Sequence, residues 1–230
     1  MELSKRLQAV ADLAGSHPVV ADVGTDHGYI PIYLVERKKC ERALALDVNE
    51  GPLERARRHI MEHNLLGKIE VRQSDGVKAL QPGECDCAVL AGMGGALTVK
   101  ILEEGEEIFR DLKDFVLQPQ SEIAKVRHYL AENHYLITAE DMVLEEGKFY
   151  PMMKVKVGQA AAYSRMELRY GRDLLRQKHP VLEMFLEKEV CSKEQILKNL
   201  ESVSGEQIRV RRQEIKAELL LAKEALEVYL

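Results

Sequence analysis

The sequence predicts an α/β fold: a mostly parallel, doubly wound sheet that ends in an antiparallel hairpin and is followed by a helical extension. Three observations carry this. Short apolar runs alternate with helical stretches over the first two thirds of the chain, the pattern of strands covered on both faces. Two longer strand-like runs then meet across a short glycine-containing loop. From about residue 160 strand patterning stops and glycines become rare.

In chain order, Ser4 to Ala14 reads as an amphipathic helix, with Leu7, Val10, Ala11 and Ala14 on one face, Ser4 as N-cap and Gly15 as stop. Strands are predicted at 19–23, 42–46, 69–72, 86–91 and 114–118, with helices or turns between them. The runs 135–144 and 148–157 flank Glu145-Glu146-Gly147, too short a link for anything but a hairpin. In the extension, Ile208, Ile215, Leu219, Ala222, Leu226 and Tyr229 trace a heptad seam. Leu168, Leu175 and Leu182 repeat every seven residues upstream, before Pro180 and Ser192-Lys193 interrupt, and offer a partner helix. Such pairing closes within one chain or between two copies. The predicted domains are therefore 1–158 and 159–230.

Composition narrows the class. Of 230 residues, 46% are hydrophobic and 31% charged, and no run of eighteen apolar residues could span a bilayer. The opening MELSKRLQAV lacks the apolar core of a signal peptide, so the expected location is the cytoplasm, with no membrane partner. The formal net charge is −5, with the acid excess before residue 159. Cys40, Cys85, Cys87 and Cys191 form no CxxC pair, which argues for buried, reduced thiols rather than zinc or disulfides. Alternation would place Cys85 and Cys87 on one strand face.

Chemistry concentrates in VVADVGTDHGYIPIYL, residues 19–34, a strand, a glycine turn and a helix. Against the dinucleotide signature GxGxxG, Gly24, Asp26 and Tyr29 occupy the glycine positions, and two of the three fail. Against the acidic-x-G-x-G-x-G turn of S-adenosylmethionine-dependent methyltransferases, Asp22, Gly24 and Gly28 fit and Asp26 replaces the middle glycine. Aspartate tolerates a left-handed backbone better than most residues, so the turn survives the change. Carboxylates at 22 and 26 would repel a pyrophosphate but suit a donor bearing an ammonium and a sulfonium. Thr25 belongs to the same turn.

Three further loops follow the next strands. Asp47, with Val48 beside it, ends the second strand where an acid binds ribose hydroxyls. Asp75 and Gly76 follow the third, where a carboxylate can accept the adenine amino proton. Ala91, Gly92, Met93 and Gly94 in AGMGG follow the fourth and let a planar base approach. Beyond the fifth, Gln118 and Gln120 flank Pro119, as base-edge ligands or as a plain polar turn.

The blocks ADVGTDHGYIP, ALDVNEGPL, SDG, AGMGG and LQPQ, with the helical extension, resemble the bacterial TrmK family of tRNA adenine N1-methyltransferases, which act on adenine 22. The resemblance spans essentially the whole chain. It implies a class I, Rossmann-like methyltransferase domain, S-adenosyl-L-methionine as methyl donor without a metal, tRNA as substrate, and a coiled-coil-like C-terminal domain that helps hold the RNA. No obligatory protein partner is evident.

The residues accord with this chemistry. A ring nitrogen such as adenine N1 needs no deprotonation before attack, and the product ring is cationic, so Asp26, with His27 second, is expected to stabilise developing charge. The Asp/Asn-Pro-Pro-aromatic motif used on exocyclic amines is missing from AGMGG. Asp26 attends either the donor's positive charge or the base. N1 lies on the pairing edge, so the base must be unstacked, which requires a grip on RNA. Arg165, Arg169, Arg172 and Arg176 recur at helical spacing as one basic stripe, a phosphate contact or a solvated face. The rival readings are a small-molecule methyltransferase, a non-catalytic RNA-binding protein, and a zinc peptidase suggested by HxxEH at His59–His63.

Overall fold

The computed structural model describes residues 1–200 and 205–229. The chain divides into two compact units, Met1–Ala162 and Tyr163–Leu230. In the first, seven strands, β1 (Val19–Val23), β2 (Arg42–Asp47), β3 (Ile69–Gln73), β4 (Cys87–Met93), β5 (Asp114–Pro119), β6 (Tyr135–Glu145) and β7 (Lys148–Val157), form one sheet. Its order is β3-β2-β1-β4-β5-β7-β6. The first five strands run parallel, and β7 is antiparallel to both β5 and β6.

Six helices accompany this sheet: α1 (Lys5–Ala14), α2 (Tyr29–Glu36), α3 (Glu50–Glu62), α4 (Gly95–Glu104), α5 (Glu106–Asp111) and α6 (Ile123–Glu132). Ser4 caps α1 by accepting from the Leu7 amide, and Gly15 ends it at φ 77°. Val10, Ala11 and Ala14 are buried as α1 packs on β5, β6 and β7. The hairpin loop is tighter than expected. Glu145 pairs with Lys148, leaving only Glu146 and Gly147, whose φ values of 49° and 75° give the left-handed turn that matches strand twist.

The parallel strands β1, β2, β4 and β5 read as apolar runs because both faces are covered: Ala21, Ala45, Leu46, Val89 and Leu117 are all fully buried. One polar pair sits inside. Arg127 of α6 and Glu140 of β6 are each 1% exposed and meet at 2.8 Å. Cys40, Cys85 and Cys87 are buried thiols, but Cys191 is exposed, and Cys85 lies before β4 rather than on its face.

The second unit contains α7 (Arg165–Tyr170), α8 (Arg172–Arg176), α9 (Pro180–Leu200) and α10 (Glu206–Glu227). Helices α9 and α10 form an antiparallel pair within the chain, as the contacts His179–Tyr229, Lys193–Glu218 and Leu200–Arg212 run in opposite order along the two segments. Ile215 and Ala222 of the predicted seam are buried. The upstream partner differs from expectation. Gly171, at φ 97°, separates α7 from α8, so Leu168, Leu175 and Leu182 belong to three helices. Pro180 opens α9 instead of breaking it, since a first helical residue needs no amide donor. Ser192 and Lys193 lie mid-helix, Lys193 paired with Glu189 and Glu218. Among the described residues, no helix is long and apolar enough to cross a membrane.

Candidate active site

Strand order reverses between β1 and β4, and the loops beyond their carboxyl ends bound the crevice where open α/β sheets bind ligands. Two adjoining cavities lie there. One, of about 180 Å3, is lined by Arg6, Leu7, Asp22, Gly24, Asp26, Tyr29, Ile30 and Ala91. The other, of about 270 Å3, is lined by Gly24, Asp47, Val48, Asp75, Gly76, Ala91, Gly92 and Met93 together with Val23, Asn49, Ser74, Leu97 and Ile101. Gly24 and Ala91 border both. The fold thus gathers loop residues from β1, β2, β3 and β4 around one elongated space.

The β1–α2 turn is built by its backbone. Gly24 and Thr25 both donate to the Leu46 carbonyl at 2.8 Å, tying the turn to β2. Gly24 has φ 76°, a left-handed conformation that favours glycine, and a Cβ there would push aside the flexible Met93 methyl, 2.3 Å away. The left-handed residues after it are His27 (φ 65°) and Gly28 (φ 68°), not Asp26. The missing middle glycine is tolerated because the turn does not ask Asp26 for positive φ.

Asp22 is 6% exposed. Burial lifts its carboxyl to about 6, the Asp47 charge adds to the rise, and Thr25 opposes it. That opposition is incomplete, as the buried Thr25 hydroxyl has no well-formed hydrogen bond. No cation acts on Asp22 among the described residues. A buried, uncompensated acid beside a glycine turn suits a cationic ligand, and the donor set fits S-adenosylmethionine on that ground.

Asp26 is exposed and accepts from Arg55 of α3 through Nη2 at 2.9 Å and Nε at 3.2 Å, with His27 Nε2 at 3.4 Å. The rings of His27, Tyr29 and His59 stack with centroids 5.1 to 5.6 Å apart. Asp47 accepts from the Asn49 amide at 2.7 Å. Asp75 is exposed and bound to Lys78 at 2.5 Å, which holds its carboxyl below the ordinary value. Gly94 caps α4, and Ser121 Oγ accepts from the next amide, Gly95, at 3.2 Å.

Other expectations change. Gln118 is fully buried; its Oε1 accepts from Arg6 Nη1 at 2.9 Å and its Nε2 donates to the Pro119 carbonyl at 3.4 Å, so both ends of its amide are turned to the protein. Gln120 stays exposed, with its backbone amide on the Met93 carbonyl. The arginine stripe does not form, because the Gly171 break puts Arg165 and Arg169 on α7 and Arg172 and Arg176 on α8. Arg169 pairs with Glu189, and Arg172 pairs with Glu167 and covers the Tyr163 ring at 3.7 Å. Arg165 and Arg176 are exposed.

The HxxEH histidines diverge. His59 Nδ1 faces the His27 carbonyl at 3.0 Å, and His63 Nδ1 meets Glu36 at 2.6 Å. Neither belongs to the cluster of possible metal ligands found among the described residues, His17, Cys87 and Asp114, where Lys154 already pairs with Asp114 at 3.1 Å. Sequence patterns missed Arg6 and Leu7 because α1 precedes the motif region and reaches the cavity only through packing. Tyr29 and Ile30 adjoin the motif, and their position next to the turn was the available signal.

The family model for tRNA (adenine(22)-N(1))-methyltransferase, TrmK, matches residues 20–224. The chain belongs to the TrmK family. It is 37% identical over 172 residues to the tRNA (adenine(22)-N(1))-methyltransferase of Bacillus subtilis, covering 74% of this chain and 72% of that one. The crystal structure of the B. subtilis m1A22 tRNA methyltransferase TrmK superposes with a TM-score of 0.86 at 30% identity, over 98% of this chain and 99% of that one. A Streptococcus pneumoniae protein provisionally assigned as a tRNA (m1A22) methyltransferase, solved with S-adenosyl-L-methionine, gives a TM-score of 0.88 at 33% identity, over 98% and 100% of the two chains. TrmK membership and the paired cavities account for the same loops.

Proposed function

We propose that this protein transfers the methyl group of S-adenosyl-L-methionine to N1 of adenine 22 in tRNA, in the cytoplasm and without a metal. The observation that carries this reading is the buried, uncompensated Asp22 in the smaller of two cavities that share Gly24 and Ala91 and are walled by the four TrmK-like loops. The donor supplies a sulfonium methyl that is already electrophilic. The protein's part is to bind, orient and keep water away.

In this reading Asp22 meets the donor's ammonium with Thr25, Gly28 and Gly24 shaping the turn. Asp47 accepts from the ribose hydroxyls, with Val48 beside it. Asp75, Gly76, Ala91, Gly92 and Met93 bound the adenine end. Asp26 and His27 stand where the target base arrives, and Asp26, oriented by Arg55, stabilises positive charge on the methylated ring. No side chain has to accept a proton from N1, because its lone pair is free at neutral pH. Gly94 and Gln120 border the base, and residues 159–230 grip RNA through Arg165 and Arg176, with Arg169 and Arg172 bracing their helices.

The test is transfer of a labelled methyl group to unmodified bacterial tRNA, followed by mapping of the product. Label in 1-methyladenosine at position 22 is expected. Donor binding without tRNA labelling would refute the substrate.

A further inference from the structure

A third cavity, of about 290 Å3, lies between α4 and α6, outside the donor site. Both helices start beyond the carboxyl ends of their strands, β4 and β5, and Gly95 and Glu122 border the cavity there. Gly95 directly follows Gly94, and Glu122 lies two residues after Gln120, the pair proposed at the target base. The two helix starts are fastened to each other. The Gly95 amide donates to Ser121 Oγ at 3.2 Å, the Ala96 amide donates to the Glu122 carboxylate, and a Cβ on Gly95 would stand 2.4 Å from the Ser121 carbonyl oxygen. The cavity therefore begins where the loops at the base end.

Its lining suits a flat, uncharged group. Tyr129 of α6 supplies a half-buried ring, and burial pushes its phenol up to about 12, so it stays neutral. The α4 side presents only the small residues Gly95, Ala96 and Val99. The charges at the rim are paired with one another, Lys125 with Glu122 and His128 Nε2 with Glu132 at 3.2 Å. They leave no free cation for a phosphate and no free carboxylate for a basic peptide.

Resting on the reading of the adjoining loops as the base site, we infer that the α4–α6 cavity receives the base of a nucleotide next to the target adenosine, stacked on Tyr129. Bringing adenine N1 into reach takes the target out of its stack and uncovers a face of the neighbouring base. Tyr129 is the seventh residue of α6, about 9 Å from its start at 1.5 Å per residue, close enough for an adjoining nucleotide. Its ring replaces the lost stacking partner, and stacking on an aromatic ring accepts any base. The contact adds affinity for the unstacked RNA without reading its sequence.

The experiment measures methyl transfer by the full chain to tRNA that is intact or carries an abasic nucleotide at position 21 or at position 23. Tyr129→Ala should raise the KM for intact tRNA about 5- to 150-fold, the range for one base–aromatic stack, and leave donor affinity in calorimetry unchanged. Tyr129→Phe should restore most of the loss. An abasic site at one of the two positions should raise the wild-type KM severalfold more than that of Tyr129→Ala, because the variant has no stack left to lose. Ala96→Trp plugs the cavity from an exposed position without removing core packing, and it should raise the KM for tRNA likewise. Equal costs of the abasic sites in wild type and Tyr129→Ala would overturn the inference. So would a plug with no effect on the tRNA KM, or a Tyr129→Ala defect that follows donor affinity. Wild-type protein that binds the donor but labels no intact tRNA would instead refute the substrate reading itself.

Discussion

Replacing Asp22 with Asn should make the protein more stable and unable to hold its donor. Burial raises the carboxyl from 3.8 to about 6 in the folded protein. One pKa unit corresponds to about 1.4 kcal/mol, so ionised Asp22 costs the fold about 3 kcal/mol at pH 7. The direction follows from proton counting. Between 3.8 and about 6 the folded state binds the proton that the unfolded chain has released, so stability falls as pH rises through that window. Above it the whole penalty applies; below 3.8 both states are protonated and it vanishes. Denaturant unfolding of the two proteins at pH 7.5 should favour Asp22→Asn by up to about 3 kcal/mol, and at pH 4 the advantage should shrink to less than about 1 kcal/mol. Calorimetry at pH 7.5 should show donor binding lost. A variant less stable than wild type at pH 7.5, an advantage independent of pH, or full donor affinity would refute the reasoning.

Asp47→Ala removes the proposed ribose acceptor and should weaken S-adenosylmethionine binding by about 1 to 3 kcal/mol in a calorimetric titration, with unchanged affinity moving the ribose acid elsewhere. Arg127→Met removes the buried ion pair with Glu140 and should cost about 3 to 5 kcal/mol of stability, read from the urea midpoint. The double variant Arg165→Glu and Arg176→Glu should raise the KM for tRNA several-fold and spare donor affinity; flat tRNA kinetics would remove these arginines from the RNA contact.

Local pattern determined much of this molecule. The central parallel strands β1, β2, β4 and β5 were legible because they are apolar runs bounded by turn residues, the hairpin strands because two runs meet across a glycine loop, and β1 and β7 run over the predicted residues. The capping of α1 by Ser4 and Gly15 is likewise a short-range matter of amide donors and backbone conformation. The loops that line the two cavities were legible for the same reason: a glycine turn after a strand, and acids at the strand ends, mark a site through residues adjacent in the chain.

Only the tertiary structure decided which polar groups face the ligand and which serve one another. Gln118 looked like a base-edge ligand, but burial at the end of β5 gives its amide to Arg6 and Pro119. The four arginines had helical spacing, but spacing says nothing about a helix break, and Gly171 divides them between two helices with different partners. Arg6 carried no motif at all. It lies 112 positions from Gln118 in the chain and enters the cavity because the apolar face of α1 packs on the sheet. Sequence determines the elements through forces that act over a few residues, whereas the charge balance of the site depends on groups that meet only after those elements have packed.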